Sequence, residues 1–331
     1  MSEPNTPLLQ VDHLSKFFAV KRTKLFEPRR QVHAVEDVSF TLYEGETLGI
    51  VGESGSGKST LARAILALTP VTGGIVQYRG ETITDFKNCD AGALRSEIQM
   101  IFQDPYASLN PKIKIGDAIA EPMRRYGYAK TAKEATEKVK ELLQTIGLQP
   151  EVYDRYPHEF SGGQRQRIGI ARALATQPRL LFCDESVSAL DVSVQAQILN
   201  LFNELKAQRN LTYVFIGHDL AVVRYISDRI LVMYLGKVME IAPYDALFGQ
   251  DTHPYTQALI SAVPEPSVHH QQERILLTGD IPSPVDPPSG CRFCQRCFKA
   301  EARCFEEEPG FVEVGDGHYV RCHFAKGRCE G

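Results

Sequence analysis

The sequence has no strong excess of charge of either sign and contains no tryptophan. Its 37 Lys and Arg residues oppose 41 Asp and Glu residues, which leaves a net charge of −4. A chain without an overall basic field is not expected to bind nucleic acid, so that class of partner is disfavoured. The absence of tryptophan excludes no function.

Long apolar runs are missing as well. No stretch approaches the roughly eighteen apolar residues that a membrane-spanning helix needs. The N-terminal residues, MSEPNTPLLQ, do not combine a positively charged start with an apolar core. We therefore expect the chain to stay in the cytoplasm. In any transport process it would act as a peripheral subunit at the cytoplasmic face of the cell membrane.

Cysteine is scarce until the last part of the chain. Cys89 and Cys183 are isolated, whereas six more cysteines lie between Cys291 and Cys329. In a cytoplasmic protein such a cluster indicates metal ligation before disulfides. Cys183 lies in an apolar run and is predicted to pack in the core.

The length of 331 residues suggests about two domains. Proline, glycine, histidine and cysteine become frequent from Pro264 onward, so we place a boundary near 264–272. We predict one domain over 1–264, with a helical insert at about 105–176. The second, over 265–331, is a small loop-rich module that needs cross-links or a bound metal to hold a defined shape, and the cysteines can supply them.

Residues 52–60 read GESGSGKST and fit the phosphate-loop pattern G-x-x-x-x-G-K-[ST]. An apolar run of strand length, 47–51, precedes them, and residues 61–68 follow with helical spacing. The glycines let successive backbone N–H groups point at phosphate oxygens, and the helix N-terminus adds its positive dipole end. Lys58 would neutralise the β- and γ-phosphates, and the Ser59 hydroxyl would ligate Mg²⁺. The predicted ATP-binding residues are Gly52, Glu53, Ser54, Gly55, Ser56, Gly57, Lys58, Ser59 and Thr60.

Strands and helices alternate along most of the chain, which is typical of an α/β fold with a mainly parallel sheet. The predicted strands are 8–18, 32–42, 47–51, 75–78, 98–102, 180–184, 212–217 and 229–235. The predicted helices are 61–68, 114–126, 132–146, 163–175 and 193–209.

Further motifs follow the phosphate loop in order. Residues 161–167 read SGGQRQR, and the strand at 180–184 ends in the acid pair Asp184-Glu185. Together with the phosphate loop, they resemble the ATP-binding subunit of an ABC transporter, and the likeness covers about residues 8–262. Gln103 matches that family's Q-loop, Ser188-Ala189-Leu190-Asp191 its D-loop, and His218 its switch histidine.

The resemblance implies a P-loop NTPase of the ABC ATPase type. Its fold has a RecA-like, mainly parallel sheet core, an antiparallel β subdomain and a helical insert. Two such subunits would pair head to tail and sandwich two ATP molecules. Each ATP would be held by the phosphate loop of one subunit and the signature segment of the other. The further ATP-binding residues are Gln103, Ser161, Gly162, Gly163, Gln164, Asp184 and Asp191. Phe18 is a further candidate, because either Phe17 or Phe18, at the end of the first strand, could stack on the base; simple packing is the alternative.

The residue types suit this chemistry. Asp184 can hold Mg²⁺ together with Ser59 and Gln103, which leaves Glu185 free to polarise the attacking water. Phosphoryl transfer is accelerated mainly by charge placed around the γ-phosphate, to which His218 and Lys58 contribute. The expected catalytic residues are Glu185, His218 and Gln103. Two positions depart from the family pattern: Ser186 replaces a proline, and Phe160 replaces a leucine.

Three segments resemble the oligopeptide and dipeptide importer branch of the family: 102–111 (FQDPYASLNP), 156–161 (YPHEFS) and 253–256 (HPYT). That branch typically ends in a glycine-cysteine, an arginine-cysteine, a third cysteine and a cysteine-histidine, which match Gly290-Cys291, Arg296-Cys297, Cys304 and Cys322-His323 here. Its members are associated with a 4Fe-4S cluster at those four cysteines. The spacing C-x5-C-x6-C-x17-C is compatible with a cluster or with zinc. A reduced, loosely folded extension with unligated thiols is a further alternative. Cys294 lies inside the set and Cys329 beyond it, so the choice of ligands stays open.

The resemblance implies an ATPase that energises import of dipeptides or oligopeptides. Its partners would be two integral-membrane permease subunits, a second ABC ATPase subunit and a periplasmic or extracellular substrate-binding protein. Import of nickel or another small solute is an alternative. A soluble ABC ATPase in iron-sulfur assembly or nucleic-acid-linked work is another. The basic loop 21–30 is either a solvated hairpin tip or a contact with anionic lipid.

Overall fold

The structure, a computed structural model, describes residues 7–21, 29–85, 89–249, 252–263 and 274–327. The strands are β1 (Pro7–Ala19), β2 (Gln31–Tyr43), β3 (Thr47–Val51), β4 (Gly73–Tyr78), β5 (Glu81–Thr82), β6 (Ile98–Ile101), β7 (Leu180–Asp184), β8 (Thr212–Ile216), β9 (Arg229–Tyr234), β10 (Lys237–Pro243), β11 (Phe311–Gly315) and β12 (His318–Arg321). The α-helices are α1 (Lys58–Ile65), α2 (Ala91–Glu97), α3 (Pro105–Ser108), α4 (Ile115–Arg125), α5 (Ala132–Thr145), α6 (Gly162–Leu174), α7 (Val192–Arg209), α8 (Leu220–Ile226), α9 (Pro254–Ser261) and α10 (Ala302–Glu306). The predicted boundary at 264–272, Cys329 and most of the basic loop 21–30 lie outside the described residues.

The chain divides into two compact units. The first contains residues 43–47 and the described part of 86–216. The second contains the described residues of 7–42, 48–85 and 217–327.

The first unit contains a parallel arrangement of β6, β7 and β8, with β7 in the middle. Leu180 of β7 is in register with Ile98 of β6 and with Thr212 of β8. Every residue of β7 and β8 is buried, which explains why both strands are apolar without alternation. The predicted strands at 180–184 and 212–217 are thereby confirmed, and so is the core position of Cys183, which is fully buried.

The helices α4, α5, α6 and α7 of the first unit lie where the sequence predicted them, whereas α2 and α3 were not predicted. α4, α5 and α6 pack against one another. α5 begins after Thr131, whose side chain accepts a hydrogen bond from Glu134 N, so the first turn has the polar cap that exposed N–H groups need. The buried apolar side chains of these helices include Ile115, Ile119, Met123, Val139, Leu143, Ile168 and Ile170.

The second unit contains an antiparallel sheet in the order β2-β1-β4-β5 and a further set of paired strands in the order β11-β12-β10-β9-β3. In the latter set β3 is parallel to β9, whereas β10 is antiparallel to both β9 and β12. The antiparallel β sheet and the parallel pairing of β3 agree with the predicted fold class. The tail, residues 274–327, is less irregular than predicted, because β11 and β12 extend the sheet from β10.

β10 is a buried strand that carries two charged residues. Glu240 is fully buried and is paired with His318 at 2.6 Å between Oε1 and Nε2. Lys237 is also buried, and its Nζ lies 3.3 Å from Glu36 Oε1. Buried charges are tolerated when they are paired in this way. Among the described residues, no helix has both the length and the apolarity needed to cross a membrane.

Candidate functional site

The phosphate loop joins β3 to α1 in the second unit. Gly57 is the N-cap of α1 and has a φ of 104°, a left-handed conformation that favours glycine. A Cβ added there would lie 2.1 Å from Ala34 O, so a side chain at this position would also clash with the neighbouring backbone. The loop closes on itself through a hydrogen bond from Ser56 N to Glu53 O of 3.1 Å. The sequence pattern thus has the strand, loop and helix context that phosphate binding requires.

Lys58 is 4% exposed and belongs to the first turn of α1. Its ammonium donates to Gly52 O at 2.8 Å and to Glu53 O at 2.9 Å, and it lies 3.4 Å from Ser56 Oγ. These contacts hold the positive charge inside the loop. Ser54 and Gly55 are exposed at the tip of the loop, and Ser59 and Thr60 are half-buried in the first turn of α1.

The acid pair lies where β7 ends in the first unit. Asp184 is the last residue of β7 and is 2% exposed. Glu185 follows with a φ of 44°, a conformation that is unfavourable for a residue with a side chain. Strained backbone of this kind clusters at functional sites. Glu185 N donates to Ile216 O at 3.0 Å, which fixes the turn against the end of β8.

The predicted Q-loop residue contacts the predicted catalytic acid directly. Gln103 Nε2 donates to Glu185 Oε2 at 2.7 Å. The sequence assigned the two residues to one reaction without predicting their contact. Since the amide orients one carboxylate oxygen, this hydrogen bond restricts the directions in which Glu185 can accept a proton.

The signature segment forms the start of α6, also in the first unit. Ser161 Oγ accepts from Gln164 N at 3.3 Å, and Gln164 Oε1 accepts from Ser161 N at 3.0 Å, so the two side chains form a capping box. A hydroxyl that accepts a hydrogen bond keeps its own proton to donate. A Cβ at Gly163 would lie 2.4 Å from Val194 Cγ1, whereas a Cβ at Gly162 would meet no atom closer than Leu190 Cδ2 at 3.9 Å. Gly163 is therefore required for the packing of α6 against α7, and Gly162 is not.

Three further predicted site residues, Asp191, His218 and Phe18, lie at or near the ends of helices and strands. Asp191 is the N-cap of α7, and its Oδ1 accepts from Val194 N at 2.9 Å. His218 is exposed between β8 and α8. Phe18 is 42% exposed near the end of β1, with Lys16 Nζ 4.7 Å from its ring centre, whereas Phe17 packs on His33. Phe18 is therefore the more accessible of the two rings for stacking on a base.

The cysteines of the tail lie close enough to influence one another's pKa. Burial raises the pKa of Cys291 to about 12, with smaller effects from Cys294, Cys322 and Cys297. Burial likewise raises the pKa of Cys294, Cys297 and Cys322. Cys304 is among the groups that act on these three thiols.

The expected metal site is not supported. Within the described ranges, no group of three or more His, Cys, Asp or Glu side chains is arranged to hold a metal ion. The thiolate, not the thiol, is the metal ligand, so metal binding here would require the cysteines to lose their protons. The spacing predicted that the cysteines lie near one another, but it could not predict the protonation or the orientation of their thiol groups.

Sequence reasoning missed Tyr255 and Arg296, both of which contact Glu53 of the phosphate loop. The motifs that contain them, HPYT at 253–256 and Arg296-Cys297, were noted only as marks of a family branch. No local pattern signals contacts over 202 and 243 residues of sequence.

Comparison with known proteins agrees with this geometry. The family model described as ABC transporter matches residues 35–188. The chain is 50% identical over 319 residues to the oligopeptide transport ATP-binding protein OppF of Haemophilus influenzae, covering 95% of this chain and 96% of that protein. This chain belongs to the ABC transporter family of ATP-binding proteins.

Two further comparisons extend the assignment. This ABC ATPase is 48% identical to the dipeptide transport ATP-binding protein DppF of Haemophilus influenzae, covering 96% of this chain and 97% of that protein. A second model, described as the C-terminal region of oligopeptide/dipeptide transporters, matches residues 239–304. A solved dimeric ATP-binding cassette in a post-hydrolysis state with ADP and Pi aligns with a TM-score of 0.63 and 28% identity, covering 72% of this chain and 99% of that one.

Proposed function

We propose that this ABC ATPase energises the import of dipeptides or oligopeptides from the cytoplasmic face of the cell membrane. The observation that carries the proposal is the match of residues 239–304 to the C-terminal region of oligopeptide/dipeptide transporters. That region follows a cassette with a formed phosphate loop and a Gln103–Glu185 contact. The names of the relatives OppF and DppF support the same substrate class.

The proposed chemistry is ATP hydrolysis between two paired ATPase subunits. Backbone N–H groups of 52–60 and the Lys58 ammonium would bind the phosphates of one ATP. The Ser161 hydroxyl and the N–H groups of Gly162 and Gly163 would contact the ATP held by the other subunit. Glu185, oriented by Gln103, would take the proton of the attacking water.

Mg²⁺ fits the donor types at the proposed site. The Ser59 hydroxyl, the Gln103 amide oxygen and the Asp184 carboxylate are oxygen donors, which this cation prefers. When bound, it would neutralise charge on the phosphates. Phe18 would stack on the base, Asp191 would orient the turn before α7, and His218 would contact the γ-phosphate.

The proposed assembly contains two integral-membrane permease subunits, a second ATPase and a periplasmic or extracellular binding protein. We expect a tagged copy of the full chain, purified from detergent-solubilised membranes of its own organism, to bring down two permeases and a second ATPase. Mass spectrometry of the eluate identifies them. Recovery only from the soluble fraction, with iron-sulfur assembly or nucleic-acid-binding partners, would contradict the proposal. In proteoliposomes containing the purified complex and its binding protein, peptides should stimulate ATP hydrolysis and nickel should not.

We also propose the tail as the place for a 4Fe-4S cluster on Cys291, Cys297, Cys304 and Cys322, with Cys294 as the alternative ligand. The support is the C-x5-C-x6-C-x17-C spacing of four free cysteines within one small module. Binding would require the thiols to lose protons and reorient. Chemical analysis of anaerobically purified full chain should find about four iron and four sulfide per chain. Zinc without sulfide, or neither element with an intact tail, would refute the cluster.

A further inference from the structure

Glu53 lies inside the phosphate loop and is held by two residues outside the family motifs that carry the chemistry. The guanidinium of Arg296 donates to both carboxylate oxygens, with NH1 2.7 Å from Oε2 and NH2 3.1 Å from Oε1. The hydroxyl of Tyr255 accepts from Glu53 N at 2.9 Å. One residue of the loop is thus fixed both at its side chain and at its backbone.

Arg296 is itself held firmly. Its side chain is 9% exposed, and NH1 lies 3.4 Å from the hydroxyl of Tyr234. The rings of Tyr234, Tyr255 and Phe293 pack on one another with centres 4.8 to 5.2 Å apart. An arginine guanidinium keeps its positive charge in proteins, so the charge beside Glu53 is permanent. A planar guanidinium seated on rigid rings loses little freedom when it binds a carboxylate.

The part of the tail that carries Arg296 is anchored independently of Glu53. Arg292 NH2 donates to Glu36 Oε2 at 2.6 Å, and Phe293 packs on the ring of His253. β12 pairs with β10 through Glu240 and Val320. Loss of the Arg296 side chain would therefore leave the rest of the tail attached to Glu36 and to β10.

The charge of Glu53 is what makes its pairing important for function. A carboxylate in a phosphate-binding loop repels the phosphates unless a cation neutralises it. Arg296 is that cation. The backbone of Glu53 also contributes, because its carbonyl accepts from Lys58 Nζ at 2.9 Å and from Ser56 N at 3.1 Å. A shift of Glu53 would therefore move the lysine that faces the phosphates.

We propose that Arg296 and Tyr255 are positioning residues for ATP binding, which act through Glu53 and let the tail set the affinity of the phosphate loop. Arg296 cancels the charge of Glu53, and Tyr255 holds its backbone. The inference rests on the proposed ATP binding by residues 52–60. It gives a role to two sequence features, HPYT at 253–256 and the arginine at 296, that the ATPase chemistry does not use.

The test measures the Kd of a fluorescent ATP analogue for the full-length chain and its variants. Arg296→Gln should raise the Kd about tenfold or more, because it leaves Glu53 charged and unpaired. Glu53→Gln combined with Arg296→Gln should return the Kd to within about threefold of wild type, because the repulsive charge is gone. The deficit of Arg296→Gln should shrink in high salt, which screens charge repulsion but does not repair a structural defect.

The matched control is Arg303→Gln in α10, whose side chain is half-exposed and pairs with Glu301 at 3.5 Å. It removes the same charge from the tail and should leave the Kd unchanged. Arg296→Lys should recover part of the affinity, since it keeps the charge but not the paired hydrogen bonds. Tyr255→Phe removes only the hydroxyl and should raise the Kd about threefold. If Arg296→Gln does not fold, the Kd of Tyr255→Phe tests the proposal instead.

Two results would overturn the inference: a wild-type Kd for both Arg296→Gln and Tyr255→Phe, or a double variant no better than Arg296→Gln alone. Failure of the wild-type chain to bind the analogue would instead overturn the proposed ATP binding itself. The two failures are therefore distinguishable in one titration series.

Discussion

Replacing Glu185 with glutamine is expected to lower the rate of ATP hydrolysis by about a hundredfold or more and to leave ATP binding intact. A positioned general base contributes roughly 10²- to 10⁴-fold to a rate, and an amide cannot accept the proton of the attacking water. Glutamine has nearly the same size, and its oxygen can accept the hydrogen bond that Gln103 Nε2 gives to Oε2. The backbone turn at 185 should therefore be kept.

The measurement is steady-state phosphate release alongside nucleotide affinity. Glu137→Gln is the matched control, because that side chain is exposed on α5 and forms a 3.7 Å pair with Lys140. It should leave both quantities at wild-type values. Hydrolysis by Glu185→Gln at a near-normal rate would remove Glu185 from its proposed role.

The second large effect concerns stability and pH. His253 is fully buried, and burial lowers its pKa from 6.5 to about 3. Its neutral Nδ1 accepts from Tyr255 N at 3.0 Å at the start of α9. Between pH 6.5 and 3 the unfolded chain binds a proton that the folded chain does not. The stability provided by a neutral His253 is thus complete above pH 6.5 and decreases as the pH falls.

A fall from pH 6.5 to pH 5 should cost about 2 kcal/mol through this residue, since one pH unit corresponds to about 1.36 kcal/mol. His253→Asn keeps a side-chain acceptor for the cap but cannot titrate. Burial raises the pKa of the nearby Glu240. Since the variant keeps the backbone N–H of residue 253 that donates to Glu240 Oε2, the contribution of Glu240 is expected to cancel in the comparison. Urea unfolding should show that the difference in free energy of unfolding between wild type and His253→Asn is smaller at pH 5 than at pH 7.5 by about 2 kcal/mol. An equal difference at both pH values would show that His253 does not govern the pH dependence of stability.

The strands that were predicted correctly are those whose local sequence determines their environment. β3, β7 and β8 are buried on both sides and therefore consist of short apolar runs bounded by polar or glycine residues. β10 was missed, although all but its last residue are buried, because Lys237 and Glu240 interrupt the apolar pattern. Their partners, among them Glu36 and His318, come from distant parts of the chain.

The same distinction applies to the site. The ATP-binding motifs are local because a phosphate is bound by consecutive backbone groups, so the sequence of 52–60 predicts the loop, its capping glycine and its lysine. The contact between Gln103 and Glu185 depends on the pairing of β6 with β7, which places the ends of those strands side by side. The cysteine pattern predicted proximity, but spacing does not determine the burial that raises the pKa of the thiols.

Arg296 and Glu53, which contact each other in the folded chain, are synthesised far apart in time. A ribosome makes the phosphate loop 243 residues before it makes the arginine that pairs with it. A nascent chain, or one that ends before the tail, would present Glu53 without its partner cation. Under the proposed role of Arg296, completion of the polypeptide and full affinity for nucleotide would be linked, and an unfinished subunit would compete poorly for ATP.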